Sequence, residues 1–326
     1  MNKKTIGNEP IYDARTLGAP RMLVLGFQHM FAMFGATVLV PTLTGLSVST
    51  TLLFAGLGTL LFHLLAKGKV PAFLGSSFAF LGGYAAIAPM LENPNSPGVF
   101  NVPNTELLPY ACFGVACAGL VYLVLSLLFK VFGVRKVMRF FPPIVTGPII
   151  IAIGLSLSSS AVNNCATSWP VALVAILVVI VCNIWGKGMI KIIPILLGVI
   201  ASYLVGAVSG QVDFTAVREA AWIGLPVTWS ETVFGLFGSG NVDTAMLATA
   251  AITIIPISLA TMVEHIGDMC AISSTCGRNY IQEPGLHRTL LGDGLATSLA
   301  ALFGAPANTT YGENTGVLAL SKVYDP

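Results

Sequence analysis

The sequence predicts an all-α polytopic membrane protein whose apolar helices are interrupted at two places by short polar breaks. Hydrophobic residues make up 55% of the 326 residues, charged residues make up only 9%, and the mean hydropathy is +0.83. A chain of this composition cannot cover its apolar surface with polar side chains in water. Several stretches approach or exceed the roughly 20 apolar residues that span a bilayer as a helix.

The apolar runs divide into ten segments, which are separated by polar or charged loops. Several are short for complete spans, which suits broken or tilted helices. The predicted segments are residues 22–43, 51–65, 70–90, 107–132, 144–161, 169–185, 189–208, 244–266, 290–303 and 313–320.

The Lys and Arg residues lie almost entirely on one side of this arrangement. The N-terminal tail (residues 1–20) with the adjoining Arg21, and the loops after even-numbered segments with the segment ends beside them, hold 15 of the 16; only Arg218 falls on the other side. Because cytoplasmic loops carry an excess of Lys and Arg, this pattern predicts a cytoplasmic N-terminus.

A polar stretch at residues 306–314, PANTTYGEN, interrupts the apolar region near the end of the sequence. Non-helical backbone at membrane depth is tolerated only where protein buries it or where it lines a wet cavity. Its first half favours extended backbone, and Gly312, Glu313 and Asn314 can open a short helix whose free N–H groups point at a ligand. We therefore expect a binding site here; the alternative is a polar loop between two spans.

Segment three opens with a similar break at residues 70–80, VPAFLGSSFAF. The long connection at residues 209–243 divides the segments into two halves, so each break falls in the third segment of its half. The two breaks would then enter the membrane from opposite sides. Interrupted segments at corresponding positions of two inverted halves point to the substrate site of a secondary transporter.

Segment eight contains two carboxylates in an apolar environment, Glu264 and Asp268. A charged group at this depth is costly against lipid, so we expect Glu264 to face the bundle interior. Asp268 shares its face if the helix continues through Gly267. Two close carboxylates repel each other, so we expect one to hold a proton near neutral pH, which suits proton coupling. The alternative is a helix that ends near His265, with both acids in water.

The remaining polar side chains predict structural roles. Gln28 and His29 lie early in segment one, where we expect them to hydrogen-bond a neighbouring helix. His63, His265 and His287 lie near segment ends or charged loops. No spacing of His or Cys predicts a metal site.

No enzyme motif is present in the sequence. HExxH, GxSxG and the P-loop are missing, and residues 291–294, LGDG, lack the first glycine of an intramembrane GxGD protease. We therefore predict neither an enzyme nor an ATP-driven pump. A channel is a weaker alternative, because two converging broken helices with carboxylates resemble an occluded site more than a continuous pore.

Five motifs together resemble the nucleobase-ascorbate transporter (nucleobase:cation symporter-2) family of bacteria. They occur in order from about residue 28 to residue 322, and the last is specific to the uracil-type branch. The motifs are QH with FAMFGATVLVP in segment one, LGSSFAF in segment three, EHIG in segment eight, GLHR before segment nine, and NTTYGEN in the second break.

The resemblance implies fourteen spans in two inverted sets of seven, with short strands in spans three and ten. Residues 21–132 and 244–326 would belong to a core domain that holds the substrate. Residues 140–208 would belong to a gate domain, which supplies the opposite wall and usually a dimer interface, and residues 209–243 would connect them outside the cytoplasm. Because the sequence stops after span ten, we expect a fragment that would not transport by itself.

The resemblance also implies a substrate site in the bacterial inner membrane. Glu264 and Glu313 would accept hydrogen bonds from the ring N–H groups of a nucleobase. Backbone N–H groups at Phe78 and Gly312 would donate to its carbonyls, with Phe78 and Tyr311 packed on its ring. We expect four further residues to support the site: Gln28, His29, Ser76 and Asn314.

Uracil matches this site because it is planar and neutral, with N–H donors and carbonyl acceptors on its edge. The implied function is uracil import by proton symport, with the proton on Glu264 or shared with Asp268, and without a cofactor or nucleic-acid partner. At the position of Asp268, the best-known member of the uracil-type branch, which this sequence otherwise resembles there, has histidine. Aspartate at this position is typical of the xanthine and urate branch. A xanthine or mixed-specificity symporter is therefore the alternative. A nucleobase sensor or channel without coupled transport is the alternative of another class.

Overall fold

The computed structural model describes residues 6, 9–94, 96–137, 139, 148, 151–152, 155, 158, 161–163, 165–187, 190, 194–212, 214–219, 224–238, 240 and 242–326. Its helices are α1 (Ala19–Thr44), α2 (Val48–Leu65), α3 (Leu81–Ile87), α4 (Leu108–Phe132), α5 (Val134–Val137), α6 (Trp169–Trp185), α7 (Pro194–Val208), α8 (Thr215–Glu219), α9 (Val233–Gly238), α10 (Thr244–Ile254), α11 (Ile257–Cys276), α12 (Leu286–Leu302) and α13 (Gly312–Ser321). Its strands are β1 (Leu74–Ser76), β2 (Leu91–Asn93), β3 (Ser96–Val102) and β4 (Asn308–Thr310).

Four helical stretches among the described residues are long and apolar enough to cross a membrane. They are α1, α2, α4 and the pair α10–α11, which together run from Thr244 to Cys276. Shorter apolar helices include α6 and α7. These elements agree with a polytopic membrane protein. The predicted fifth segment, residues 144–161, lies mainly outside the described residues, as does the start of the seventh.

The eighth segment is longer than predicted and contains a kink. The break between α10 and α11 falls at Pro256, which lacks the N–H needed to continue the helical hydrogen bonds. Helix α11 then continues through Gly267 to Cys276 and ends at Gly277, whose φ is +64°. The alternative of a helix that ends near His265 is therefore wrong.

Both predicted breaks form a strand followed by a helix, and the two strands pair with each other. Strand β1 is antiparallel to β4, with Gly75 opposite Thr309. A side chain at Gly75 would begin 2.6 Å from the Tyr311 ring and 2.7 Å from Thr37 Oγ1, so the crossing requires glycine there. The pairing satisfies backbone groups that lipid could not.

The main buried cluster lies between α2, α4, α11 and α12. It includes Phe62, Tyr122, Met269 and Leu290, each of which is almost completely buried. Lipid is as apolar as these side chains, so close packing and hydrogen bonds hold such helices together. The Tyr122 hydroxyl accordingly donates to Thr261 Oγ1 at 2.5 Å, which joins α4 to α11.

The segment before α1 contacts the C-terminal ends of α11 and α13. Ile11 N donates to Lys322 O and Tyr324 N donates to Ile11 O, both at 2.8 Å. The Tyr12 hydroxyl donates to Cys276 O at 2.8 Å, and the Arg278 guanidinium lies 4.0 Å from the centre of the Tyr12 ring. The N-terminal segment thus connects the end of α11 to the end of α13.

An exposed ion pair, Lys69 with Glu283, joins the loops that follow α2 and α11. The hydrogen bond and charge of the Lys69 ammonium lower the pKa of Glu283. A carboxylate whose pKa is lower in the folded than in the unfolded state stabilises the fold at pH values above its unfolded-state pKa. This stabilisation is lost as the pH falls through the folded-state pKa. Exposed ion pairs contribute little to stability and are screened by salt.

We therefore expect Glu283→Gln to lower the melting temperature slightly at pH 7 in low salt, and not at acidic pH. Melting curves of both proteins in detergent at several pH values test this, and a gap that persists unchanged in acid would contradict it.

Candidate binding site at the strand crossing

The β1–β4 pair brings the two breaks to one place beside α11. Glu264 and Asp268 lie on α11, and both are only partly exposed. Gly312 and Glu313 open α13 and are exposed, although they follow three buried strand residues. A side chain at Gly312 would begin 3.5 Å from Asp268 Oδ1, so the start of α13 lies directly against α11. Two carboxylates of α11 and a third from the distant start of α13 therefore share one region.

The start of α13 offers free hydrogen-bond donors. The residue before it, Tyr311, has extended backbone (φ −107°, ψ 121°), and its side chain makes no capping hydrogen bond. The first N–H groups of a helix have no partner within the helix, so they are available to a ligand. The first break ends similarly, since a short 3-10 helix (Phe78–Phe80) begins without a side-chain cap and Phe78 is only half-buried.

Tyr311 lies in the wall of the site rather than on an open face. Only 5% of its surface is exposed, and its ring belongs to a buried cluster with Met33. Its hydroxyl donates to Ser76 O at 2.8 Å and lies 3.3 Å from Thr37 Oγ1. Ser76 Oγ in turn donates to Thr37 O at 2.9 Å. These bonds hold both strands against α1 and place Tyr311 in the wall of the candidate site.

The supporting residues expected on α1 also contact the second break. Asn314, which is 2% exposed, has its amide nitrogen 3.3 Å from His29 Nδ1 and 3.4 Å from His29 O. Gln28 is buried in α1. The structure therefore joins His29 and Asn314, and this pair attaches the first turn of α13 to α1.

A second amide holds the strand of the same break. Asn308 Nδ2 donates to Phe54 O at 2.8 Å, and Asn308 O accepts from Thr297 Oγ1 at 2.9 Å. Gly58 leaves room for this amide, because a side chain there would begin 2.0 Å from Asn308 Nδ2. Strand β4 is thus attached to both α2 and α12.

The structure contains a buried histidine–carboxylate contact beside the site that the sequence did not reveal. His265 Nδ1 lies 2.8 Å from Asp293 Oδ2, and both side chains are fully buried. His265 Nε2 lies 3.0 Å from Thr289 Oγ1. Thr310 Oγ1 donates to Asp268 Oδ2 at 3.2 Å and is equally far from His265 Nδ1. A polar network therefore extends from the site carboxylates into the core.

This network corrects the placement of His265, which we expected near a segment end. Helix α11 continues for eleven residues beyond it, to Cys276. One signal was available in the sequence: Asp293 lies within the apolar ninth segment, where an ionisable residue needs a partner. Its partner could not be identified, because the two residues belong to different helices.

The helices and the site together define a polytopic membrane protein with an interior polar site built on broken helices, as in transport proteins. A model of a family described as "Permease family" matches residues 20–326. The chain belongs to this permease family, and the resemblance to the nucleobase-ascorbate transporters is confirmed.

The relatives are permeases, which confirms the prediction of a transporter rather than an enzyme. The chain is 40% identical to a uracil permease of Bacillus caldolyticus over an alignment of 333 positions, which covers 99% of this chain and 71% of that protein. It is 39% identical to a uracil permease of Bacillus subtilis, with 91% of this chain and 66% of that protein covered. It is 38% identical to a putative pyrimidine permease of Escherichia coli, with 92% and 65% covered.

Proposed function

We propose that the protein imports a nucleobase, most readily uracil, across the bacterial inner membrane by proton symport. The observation that carries this proposal is the strand crossing, which sets Glu313 and the uncapped start of α13 beside Glu264 and Asp268. The names of the relatives, uracil and pyrimidine permeases, support the choice of substrate.

In this proposal, each polar group of the uracil edge has a partner. The carboxylates of Glu264 and Glu313 accept hydrogen bonds from the ring N–H groups, and the backbone N–H groups of Gly312 and Phe78 donate to the carbonyls. The half-buried Phe78 covers one face of the ring. A site that pairs every polar group rejects analogues that leave one group unpaired. Tyr311 lies in the wall of the site and holds strands β1 and β4 in place.

Coupling would take place at the same carboxylates. A proton enters from the outside and binds Glu264, or is shared between Glu264 and Asp268, so that the loaded site carries less charge when it crosses the low-dielectric region. The proton leaves on the cytoplasmic side with the substrate. Moving one charge down the membrane potential supplies about 2.3 kcal/mol per 100 mV, which is enough for substantial accumulation. No organic cofactor or metal takes part in this scheme.

The architecture that we propose is the inverted repeat of two sets of seven spans. Residues 21–132 and 244–326 form the core domain, residues 140–208 belong to the gate domain, and residues 209–243 connect them outside the cytoplasm. The antiparallel pairing of β1 with β4 supports it, because strands from corresponding breaks of inverted halves run in opposite directions. The concentration of Lys and Arg residues in the N-terminal tail and in the loops on the same side supports a cytoplasmic N-terminus. In this architecture, two copies of the protein would form a homodimer through their gate domains.

Asp268 favours a second candidate, a xanthine or mixed-specificity symporter. Its Oδ1 lies beside Gly312, where the proposal places a ligand carbonyl, and its Oδ2 accepts a hydrogen bond from Thr310. A carboxylate in this position can also accept a hydrogen bond from a purine N–H group. The two candidates therefore differ in whether Asp268 contacts the substrate.

Competition uptake separates these candidates. We expect cells that lack their own uracil and xanthine transporters, and that express the full-length gene, to accumulate labelled uracil despite excess unlabelled xanthine. A protonophore should abolish this accumulation. Strong inhibition by xanthine would favour the xanthine or mixed-specificity candidate. Uptake that does not depend on the proton gradient would reject proton coupling. Saturable binding without uptake would indicate a sensor.

A further inference from the structure

An apolar groove lies on the outer side of the contact between α4 and α11. Val124, Leu128 and Phe132 of α4 and Leu259 of α11 form its sides, and all four are well exposed. The groove has a volume of about 600 Å³, and one charged side chain, Lys136, lies among the residues that line it.

The groove is separate from the candidate binding site. A helix turns by about 100° per residue, so Leu259 lies about 140° around α11 from Glu264. Met262, which also lines the groove, lies about 160° from it. An occupant of the groove therefore contacts the back of the helix that carries Glu264 and Asp268.

The end of the groove at Lys136 is strongly basic. Lys130, Arg135 and Arg139 also lie in the stretch of residues 130–139, KVFGVRKVMR, which contains no Asp or Glu. All four cations are exposed. Basic clusters at the end of a transmembrane helix attract anionic lipid headgroups.

We propose that this groove binds a phospholipid with an anionic headgroup. The acyl chain lies along the apolar side chains of α4 and α11, and the headgroup phosphate pairs with Lys136 and the neighbouring cations. A second copy of the chain fits less well, because a two-fold symmetric contact on this patch would bring two basic clusters together. The bound lipid braces α11 against α4 from behind the site.

Melting of the purified full-length protein in a neutral detergent tests this proposal. We expect phosphatidylglycerol to raise the melting temperature by several degrees more than phosphatidylethanolamine with the same acyl chains. Lys136→Gln should remove most of this difference, and so should Leu128→Trp, which fills the groove and leaves the cations in place. Lys187→Gln, an exposed cation outside the groove, is the matched control and should keep the full difference.

Three outcomes would overturn the proposal. The first is equal stabilisation by the two lipids, and the second is a preference for phosphatidylglycerol that survives in both groove variants. The third is a change from dimer to monomer in Leu128→Trp without any lipid effect, which would assign the groove to a second copy. Because the readout is stability, these outcomes do not depend on whether the protein transports uracil.

Discussion

Glu264→Gln is expected to reduce uracil uptake to background and to leave the protein folded. Glutamine has nearly the same volume, but its amide presents N–H donors where the carboxylate accepts hydrogen bonds, and it cannot take up the coupled proton. Because Glu264 carries the proton in the loaded site, its hydrogen bond to the substrate is a neutral one, which contributes about 0.5–1.5 kcal/mol or about 2- to 10-fold in binding. The loss of proton binding adds to this loss, so transport should suffer more than affinity. Initial rates of labelled uracil uptake, together with binding to the purified variant, measure both effects.

Glu106→Gln is the matched control for this substitution. Glu106 is exposed in the stretch before α4, far in sequence from the strand crossing, so its replacement should leave uptake unchanged. Equal melting temperatures of the two variants would show that the loss in Glu264→Gln is local. Proton-dependent uptake that persists in Glu264→Gln would reject the assignment of Glu264 to both ligand binding and coupling.

Gly294→Val is expected to destabilise the fold more than any other substitution discussed, because Gly294 lies where α12 meets α4. A side chain there would begin 2.4 Å from Tyr122 Cβ and 2.7 Å from the Gly119 carbonyl oxygen. Both atoms belong to or adjoin the backbone of α4, so only a separation of the two helices would make room. Overpacking of this kind costs about 1–3 kcal/mol, and the rigid neighbours place this site at the upper end. We expect little folded protein by fluorescence-detected gel filtration and a melting temperature several degrees lower.

Gly56→Ala separates this effect from a general response to replacing helical glycines. Gly56 lies within α2, and a side chain there would meet no atom within 4 Å. Since glycine within a helix is destabilising by about 0.5–1 kcal/mol relative to alanine, Gly56→Ala should be neutral or slightly stabilising. If Gly294→Ala proved as stable as Gly56→Ala, the close contact between α4 and α12 would be contradicted.

The positions of most apolar helices could be predicted, because a bilayer demands long apolar helices and penalises irregular backbone. Segment six was predicted with the bounds that α6 has, Trp169–Trp185. The two breaks were found because Pro, Gly and hydroxyl residues stand out against apolar surroundings. The length of α11 was underestimated, since Gly267, Asp268 and several hydroxyl residues lower the hydropathy of its second half, although contacts with α12 and β4 maintain the helix.

The sequence by itself determined that the chain spans a membrane, where most of its apolar helices lie and that Glu264 needs a protein interior, because each of these follows from local composition and the cost of burying charge. Only the tertiary structure decided which groups meet. The pairing of Gly75 with Thr309, the buried contact of His265 with Asp293 and the hydrogen bond from Tyr311 to Ser76 all join residues on different elements. Hydropathy and motif spacing describe one element at a time, whereas these contacts depend on the relative position of several, and that position is set by packing at small residues such as Gly75 and Gly294.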